Sequence, residues 1–343
     1  MTMLKMAIIG AGTWGEIHAR VYQEHPQVEL VGICDLNIAR AQALASKYGL
    51  SETAVFSDHL TMLRSTDADA VAIVTPDFSH CRLAVDCANA KKHLIIEKPL
   101  TTSREEAEAI VEAVQRNGVR MMVDLHARWS PIYAIVKQAI VDGEIGEPYS
   151  AYYRLNDTKW VATDLLPWAA KSSILWFLGY HSVDTLRWLF NDEVERVYAV
   201  SRSGILKRLG VDTVDMYQTI LEFRRGGIAT MENGWITPNA NPNVNDMRLN
   251  VLGTEGMFNL DPTHSQLIER ITDTKYDKPD VLVRHFVHGR PKGFAYESIR
   301  HFVDCIISGE PFLVTIEDAY NTTMVILAIM ESARKREPVM VVY

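Results

Sequence analysis

A glycine-rich segment near the start of the chain has the residue types and spacing of a dinucleotide-binding turn. The apolar run Met6-Ala7-Ile8-Ile9 leads directly into the pattern Gly10-Ala11-Gly12-Thr13-Trp14-Gly15. In such a pattern the first glycine permits a tight turn, the second lets backbone approach a pyrophosphate, and the third lets a helix pack closely. We expect the phosphates at the N-terminus of a helix beginning near Thr13, with Thr13 and Trp14 in the binding turn.

A carboxylate follows where the adenosine ribose of such a nucleotide would bind. A second apolar run, residues 30–34, ends at Asp35, about 20 residues beyond the last glycine. A carboxylate there accepts both ribose hydroxyls, although a helix-capping role for Asp35 is the competing interpretation. Leu36 offers no positive charge to a 2′-phosphate, which favours NAD over NADP. Arg40, one helical turn later, keeps NADP as the minority alternative.

Composition and charge limit the classes of partner. The 343 residues suit two domains, and 48% of them are hydrophobic and 23% charged, as in soluble globular proteins. A formal net charge of −8 argues against binding to nucleic acid or to an anionic membrane. The cysteines have no metal-ligand spacing, which predicts reduced thiols, no bound metal and a cytoplasmic location. They are Cys34, Cys81, Cys87 and Cys305.

Strands and helices alternate as far as residue 126. The predicted strands are residues 6–9, 30–34, 71–74, 94–96 and 120–124, with helices between them. This alternation is typical of a doubly wound parallel sheet, so we assign residues 1–126 to a Rossmann domain. Thr75-Pro76 and Glu97-Lys98-Pro99 follow two of these strands, at the carboxyl edge where such sheets bind ligands.

The remaining residues, 127–343, predict an α+β domain with an open, mostly antiparallel sheet. The β-rich segments are residues 149–155, 196–201, 214–224, 227–236, 247–252 and 257–260. The segments Gly226-Gly227 and Gly253-Thr254-Glu255-Gly256 indicate hairpin turns. A helix over residues 174–190 interrupts the strands, and helices over 295–307 and 316–336 close the chain. One option is that the C-terminal helix packs back on the Rossmann domain.

These features resemble the glucose–fructose oxidoreductase, inositol dehydrogenase and MocA (Gfo/Idh/MocA) family of NAD(P)-dependent oxidoreductases. The resemblance covers nearly the whole chain, and Glu97-Lys98-Pro99 is its most specific element. The other segments that carry it are the glycine pattern, Thr75-Pro76 with His80, His181-Ser182-Val183-Asp184, Gly309-Glu310-Pro311 and Asp318-Ala319. The resemblance implies a Rossmann domain followed by an open sheet that mediates homodimers or homotetramers.

The resemblance also implies roles for individual residues. Lys98 corresponds to the lysine that contacts the oxidised hydroxyl, and His181 corresponds to the catalytic histidine. Arg128 corresponds to a polar or basic position at the substrate mouth. The positions lining the nicotinamide end are Thr75, Pro76, His80, Glu97 and Lys98. The competing interpretations are a solvated surface lysine, a core histidine on an apolar helix, and a Glu97 that serves as a structural partner of Lys98.

One position departs from the inositol dehydrogenase branch of the family. That branch has an aspartate four residues before its histidine, where this chain has Phe177. A carboxylate that would orient and charge the histidine is therefore missing at this position. Either Asp184 or Asp164 supplies it, or Lys98 and Tyr180 carry more of the proton transfer. The sequence leaves both options open.

Aromatic side chains cluster between residues 160 and 188. Large aromatic faces suit the apolar faces of sugar rings, but helical spacing indicates a core role for Trp176, Phe177 and Trp188. Trp160 and Trp168 fall in a predicted loop, where specificity residues concentrate. The tentative substrate set is Arg128, Trp160, Asp164, Trp168, Tyr180 and Asp184, with Lys171 as a weaker candidate.

The sequence therefore predicts an NAD-dependent oxidoreductase that transfers a hydride between the nicotinamide and a secondary alcohol of a sugar or inositol-like polyol. Lys98 and His181 would handle the hydroxyl proton. One alternative is a redox-neutral glycosidase that uses bound NAD transiently. Another is a non-catalytic dinucleotide-binding sensor, which only the loss of the aspartate at Phe177 supports.

Overall fold

The structure, a computed structural model, describes residues 3–264 and 267–343. The chain divides into two compact units, one formed by Met1–His126 and Phe286–Tyr320 and the other by Ala127–His285 and Asn321–Tyr343. The first break follows His126, where the sequence analysis also divides the chain. Residues 286–320, which the sequence assigned to the second domain, belong instead to the first unit.

A six-stranded sheet forms the centre of the first unit. Its strands are β1 (Leu4–Ile9), β2 (Val28–Cys34), β3 (Val55–Phe56), β4 (Ala70–Ile73), β5 (His93–Glu97) and β6 (Met121–Asp124). All neighbours pair in parallel in the order β3-β2-β1-β4-β5-β6, which is the Rossmann order. The central strands are continuous apolar runs because both of their faces are covered. Ile8, Val71 and Ile95, for example, are fully buried.

Helices connect these strands near the positions expected from the sequence. They are α1 (Thr13–Glu24), α2 (Ile38–Lys47), α3 (His59–Ser65), α4 (His80–Asn89) and α5 (Arg104–Asn117). Side chains cap three of them: Asn37 caps α2, Asp58 caps α3 and Ser103 caps α5. The Asp58 carboxylate accepts a hydrogen bond from the Thr61 amide at 2.7 Å, and the Ser103 hydroxyl accepts one from the Glu106 amide at 3.2 Å.

A seven-stranded mixed sheet forms the centre of the second unit. Its strands are β7 (Pro148–Asp157), β8 (Val194–Arg202), β9 (Met216–Phe223), β10 (Ile228–Gly234), β11 (Asn245–Gly253), β12 (Met257–Leu260) and β17 (Val339–Met340). Four short strands lie outside this sheet: β13 (Arg270–Ile271), β14 (Tyr276–Asp277), β15 (His285–Val287) and β16 (Arg290–Lys292). The order is β12-β11-β7-β10-β9-β8-β17, and β13–β14 and β15–β16 pair separately. Only β7 and β10 run parallel, which confirms a mostly antiparallel sheet.

Helix α7 fixes the position of His181. The helices of this part of the chain are α6 (Pro131–Val141), α7 (Tyr180–Phe190) and α8 (Ile205–Arg208). A π-helical turn, Leu175–Gly179, leads into α7, which packs against α6 and β7. Every residue of α7 except Trp188 is buried. The Asn233 amide of β10 also donates a hydrogen bond to the Ser182 hydroxyl of α7 at 3.1 Å. This burial leaves the helix little freedom to move.

Two helices lie near the end of the chain, α9 (Phe294–Ser308) and α10 (Ile316–Lys335). Helix α9 packs against α1 and β6, which explains why residues 286–320 belong to the first unit. The Arg120 guanidinium strengthens this attachment. It donates a hydrogen bond to the Cys305 carbonyl at 2.6 Å and lies 4.4 Å from the centre of the Phe312 ring.

The cysteines are free thiols, as the sequence predicted. Burial raises the pKa of Cys34 to about 12 and raises the pKa of Cys87 well above its ordinary value, so neither forms a thiolate near neutral pH. Within residues 3–264 and 267–343, none of the helices is both long and apolar enough to cross a membrane.

Candidate active site

The glycine turn has the open approach that a pyrophosphate requires. Gly10 has a φ of +108°, and a Cβ atom there would lie 2.2 Å from the Val74 carbonyl oxygen. A Cβ atom on Gly15 would lie 2.0 Å from the carbonyl oxygen of Gly10, whereas one on Gly12 would meet no atom within 4 Å. Helix α1 begins at Thr13, directly after Gly12. The residues therefore fit a phosphate group over Gly12 at the helix N-terminus.

Substitutions at Gly12 and Gly15 should separate cofactor binding from folding. We expect Gly12→Ala to leave the melting temperature unchanged but to weaken NAD binding by about tenfold or more, because the methyl group occupies the phosphate approach. Gly15→Ala should cost about 1–3 kcal/mol of unfolding free energy, since the turn must shift to relieve the clash. Thermal denaturation and NAD titration measure both effects. Equal NAD affinity in Gly12→Ala and the wild type would contradict this role.

Asp35 is fixed beside the same turn. Its Oδ2 atom accepts a hydrogen bond from the Ala11 amide at 2.8 Å, and its Oδ1 atom accepts one from the Asn37 amide at 2.8 Å. Each carboxylate oxygen keeps a further lone pair that a ribose hydroxyl can use. The neighbouring Leu36 is 95% exposed and carries no charge.

Lys98 and Thr75 lie at the carboxyl edge of the parallel sheet. Lys98 directly follows β5 and is half-buried, and Thr75 and Pro76 are half-buried in the loop after β4. Since β4 and β5 are parallel neighbours, these two loops leave the sheet at the same edge. This is the edge at which open α/β sheets bind their ligands.

Two residues that the resemblance placed at the nicotinamide end, His80 and Glu97, are buried and bonded within the first unit. The His80 ring is fully buried, and its nitrogens contact the carbonyl oxygens of Pro99 at 2.7 Å and Thr75 at 2.9 Å. The Glu97 carboxylate, 6% exposed, lies 3.2 Å from Nε2 of His18 on α1. The structure therefore gives His80 and Glu97 backbone and side-chain partners within the protein, and their place at the nicotinamide end stays a prediction.

The Trp14 ring stacks on His126, a residue that the sequence analysis did not single out. The two rings have a centroid distance of 5.1 Å and an interplanar angle of 12°. Burial by itself would raise the pKa of the adjacent Asp124, but His126, His18 and Ser298 stabilise the carboxylate and hold that pKa below its ordinary value. No sequence pattern predicts this contact, because His126 lies outside the glycine pattern and outside the segments that carry the family resemblance.

Three buried side chains in the first unit have the composition of a metal site. The ligand atoms of His18, Glu97 and Asp124 lie within 4.8 Å of one another. His18 already bonds the Tyr22 hydroxyl at 2.9 Å and Glu97 at 3.2 Å, as expected for a hydrogen-bonded core network. We assign no metal to this cluster.

His181 lies on α7 in the second unit, and an aromatic side chain occupies the position one helical turn before it. The residue one turn earlier, Phe177, is half-buried and meets Trp168 and Trp235 edge to face, at centroid distances of 6.4 Å and 6.0 Å. His181 itself is 7% exposed. The position that carries an aspartate in the inositol dehydrogenase branch is therefore part of an aromatic cluster of Trp168, Phe177 and Trp235.

Arg128 and Asp184 form a buried ion pair with each other. The guanidinium donates from Nη2 to Oδ1 of Asp184 at 2.6 Å and from Nε to Oδ2 at 3.1 Å. Both side chains are almost fully buried. This bidentate pair favours a packing role for Asp184 over the orientation of His181, which the sequence analysis left open.

Removal of the Asp184 carboxylate should strongly lower the free energy of unfolding. We expect Asp184→Ala to lower the unfolding free energy by about 3–5 kcal/mol, because it leaves the Arg128 charge buried without its counter-ion. Urea denaturation measures the loss. The control is Glu112→Ala, which breaks an exposed i, i+4 pair with Arg116 on α5 and should have a far smaller effect. Similar losses in the two variants would contradict the assignment.

The other substrate candidates differ in accessibility. Trp160 is 41% exposed, Asp164 is exposed in the π-helical turn Val161–Leu165, and Trp168 is half-buried. The predicted loop therefore contains helical turns. Tyr180 is fully buried and its hydroxyl lies 3.1 Å from that of Thr323, so it is a core residue and leaves the substrate set. Lys171 is exposed.

Trp235, which follows β10, escaped the sequence analysis. In the described part of the chain its indole N–H has no hydrogen-bond partner, although the ring is fully buried. A buried donor of this kind costs free energy unless water or a ligand accepts its hydrogen bond. The sequence analysis placed Trp235 inside the β-rich segment 227–236, and that pattern gave no sign of a functional role.

The sequence matches two domain families along most of its length. Residues 4–125 match the oxidoreductase family with an NAD-binding Rossmann fold, and residues 137–341 match the C-terminal alpha/beta domain of the same family. The chain belongs to the Gfo/Idh/MocA oxidoreductase family. The fold class, the family resemblance and the assignment as an NAD-binding oxidoreductase are thereby confirmed.

Several known proteins resemble this chain over nearly their whole length. The scyllo-inositol 2-dehydrogenase (NAD(+)) of Bacillus subtilis is 29% identical, over 98% of this chain and 96% of that protein. The myo-inositol 2-dehydrogenase of Thermotoga maritima is 23% identical, over 98% of each. The Lactobacillus casei scyllo-inositol dehydrogenase structure with NAD(H) and scyllo-inositol has a TM-score of 0.82 at 20% identity, covering 99% of each chain. This last likeness shows the shared fold.

Proposed function

We propose that this chain is an NAD-dependent dehydrogenase that oxidises a secondary alcohol of a cyclic polyol or sugar. The observation that carries the proposal is the carboxyl edge of the first unit's sheet. There the Asp35 carboxylate is fixed against the glycine turn, and Lys98 directly follows β5. The relatives named above act on inositols, which supports a cyclic polyol as the substrate class.

The preference for NAD rests on Asp35. Its two oxygens can accept hydrogen bonds from the ribose hydroxyls, and its charge opposes the 2′-phosphate of NADP. Gly12, Thr13 and Trp14 would hold the pyrophosphate, and Thr75, Pro76 and Lys98 would line the nicotinamide end. When bound, NAD⁺ supplies the hydride acceptor.

Proton transfer is assigned mainly to Lys98. As the carbon loses its hydride, the hydroxyl proton must leave, and a neutral Lys98 amine takes it. The resulting ammonium stabilises negative charge that develops on the oxygen. His181 would share this task as a hydrogen-bond partner of the reacting oxygen. Two options for proton transfer lose support. The Asp184 carboxylate is bonded to Arg128, and the Tyr180 hydroxyl lies within hydrogen-bond distance of the Thr323 hydroxyl.

The substrate contacts proposed for the second unit are His181 on α7 and three residues of the segment before it, Trp160, Asp164 and Trp168. Trp168 offers a half-buried face, and Trp160 and Asp164 are exposed nearby in sequence. An indole face suits the C–H face of a ring, and a carboxylate accepts ring hydroxyl groups.

A spectrophotometric screen tests the function. NAD and NADP are offered separately with a panel of inositols, aldoses and glycosides, and reduction of the cofactor is followed. Reduction of NAD by a cyclic polyol or sugar is the expected result. Tight NAD binding, seen as a raised melting temperature, without reduction by any alcohol would overturn the proposal. Release of the aglycone from a glycoside in that case would indicate the redox-neutral alternative.

We also propose that the chain forms a homo-oligomer through the outer face of its second sheet. Exposed apolar side chains occupy adjacent rows of this face: Tyr198, Val200, Ile220, Ile228 and Leu252. An apolar surface of this kind favours association. Light scattering should give a dimer or tetramer, and Ile220→Lys should shift the mass towards the monomer. A monomeric wild-type protein would contradict the proposal.

A further inference from the structure

We propose that His80 is a positioning residue that ties the loop carrying Lys98 to the loop carrying Thr75 without touching the cofactor. Its ring is fully buried. Nδ1 lies 2.7 Å from the Pro99 carbonyl oxygen, and Nε2 lies 2.9 Å from the Thr75 carbonyl oxygen. The proposal rests on the role given to Lys98 in the proposed function.

The sheet does not hold these two loops together. Pairing between β4 and β5 runs from Ala70 with His93 to Ile73 with Ile96 and then ends. Thr75 and Pro99 both lie beyond that last pair, so their relative position depends on contacts outside the sheet. The His80 ring contacts one carbonyl group in each loop. In the first loop it is that of Pro99, the residue after Lys98, and in the second it is that of Thr75.

Helix α4 holds the ring in place. His80 is the first residue of α4, and Leu83, Ala84 and Cys87 on the same helix are buried. Ser79 stabilises the helix start, because its hydroxyl oxygen lies 2.7 Å from Thr75 Oγ1 and 2.7 Å from the Pro76 carbonyl oxygen. A ring anchored in this way transmits the fixed position of α4 to both loops.

The two ring nitrogens can be tested separately. A carbonyl oxygen only accepts, so each contact is a hydrogen bond when the facing nitrogen carries a proton. An asparagine amide reaches a position near that of Nδ1, and a glutamine amide one near that of Nε2. His80→Asn should therefore keep the bond to Pro99, His80→Gln the bond to Thr75, and His80→Phe neither.

Hydrogen exchange on the cofactor-free protein tests the tie directly. We expect the Leu100 and Thr101 amides to exchange about tenfold faster in His80→Phe and His80→Gln than in the wild type or in His80→Asn. The control is His59→Phe. His59 lies 2.8 Å from the carboxylate of Asp86 on α4, and its loss should leave the exchange rates of the Leu100 and Thr101 amides unchanged. Unchanged exchange in both His80→Phe and His80→Gln would overturn the proposal.

Kinetics show whether the tie serves Lys98. His80→Phe should lower kcat by about 10²-fold, since a small misplacement of a reacting group has an effect of that size. Its NAD dissociation constant should stay within about threefold of the wild-type value, and His80→Asn should recover most of kcat. A loss confined to NAD affinity would overturn the proposal in favour of a cofactor contact. If His80→Phe does not fold, the contrast between the Asn and Gln variants decides. If the wild type reduces no cofactor, the proposed function fails, while the exchange data still decide whether His80 ties the loops.

Discussion

Replacing Lys98 with methionine is expected to lower kcat/KM for polyol oxidation by about 10³-fold, within the range of about 10²–10⁴ that a positioned acid or base contributes. Lys98 follows β5 at the ligand-binding edge of the sheet and is half-buried. Methionine keeps much of the length and apolar stem but cannot take the hydroxyl proton. Steady-state kinetics measure the loss, and NAD titration should show an affinity within about threefold of the wild type.

Two further variants show whether the loss comes from proton transfer at Lys98. Lys98→Arg keeps the positive charge but stays protonated, so it should be as inactive as Lys98→Met. Lys92→Met removes a half-buried lysine at the opposite end of the same strand and should retain wild-type activity. Near-normal turnover in Lys98→Arg would show that charge alone suffices, and near-normal turnover in Lys98→Met would remove the lysine from the mechanism.

Substitution of Asp35 by asparagine is expected to reverse much of the cofactor preference. The hydrogen bonds that a charged group makes contribute about 1.5–3 kcal/mol each, so kcat/KM with NAD should fall by about 10- to 100-fold. Activity with NADP should rise, because the charge that repels the 2′-phosphate is gone. Asparagine retains one oxygen for the hydrogen bond from the Ala11 amide, so the glycine turn should keep its shape.

Glu29→Gln is the matched control for Asp35. Glu29 is an exposed carboxylate at the other end of β2, and its substitution should leave the ratio of the two cofactor activities unchanged. A strong preference for NAD in Asp35→Asn would show that a group other than the Asp35 carboxylate selects the cofactor.

The sequence predicts the first unit's sheet well because its signals are local. Each buried strand is a short apolar run, and the glycine pattern and Asp35 have a fixed spacing that a Rossmann turn requires. The hairpin between β9 and β10 was equally clear, since Gly226 with its φ of +91° closes it. These features depend on neighbours within a few residues, and that information is in the sequence.

The supporting contacts were not predictable, because they join residues far apart in the chain. Arg128 and Asp184 are 56 residues apart, and His80 and Pro99 are 19 apart. Each side chain alone is also consistent with a ligand contact, which is the role that the family resemblance implied. Only the fold shows that these groups bind each other or the backbone.

The assignment of α9 failed for a related reason. Its sequence predicts a helix with one apolar face, and the structure has that helix at Phe294–Ser308. An apolar face does not specify which surface it covers. The contacts of α9 with α1 and β6 place it in the first unit, although it follows the strands of the second.

The most direct test of the proposed function is to follow the hydrogen of the reacting carbon. An inositol or sugar that is active in the screen is deuterated at the oxidised carbon and incubated with the enzyme and NAD, and the reduced cofactor is analysed by mass spectrometry. Direct hydride transfer predicts one deuterium in the reduced cofactor for each ketone formed. Reduced cofactor without deuterium, or product formed without any net reduction of NAD, would contradict the assignment as a dehydrogenase.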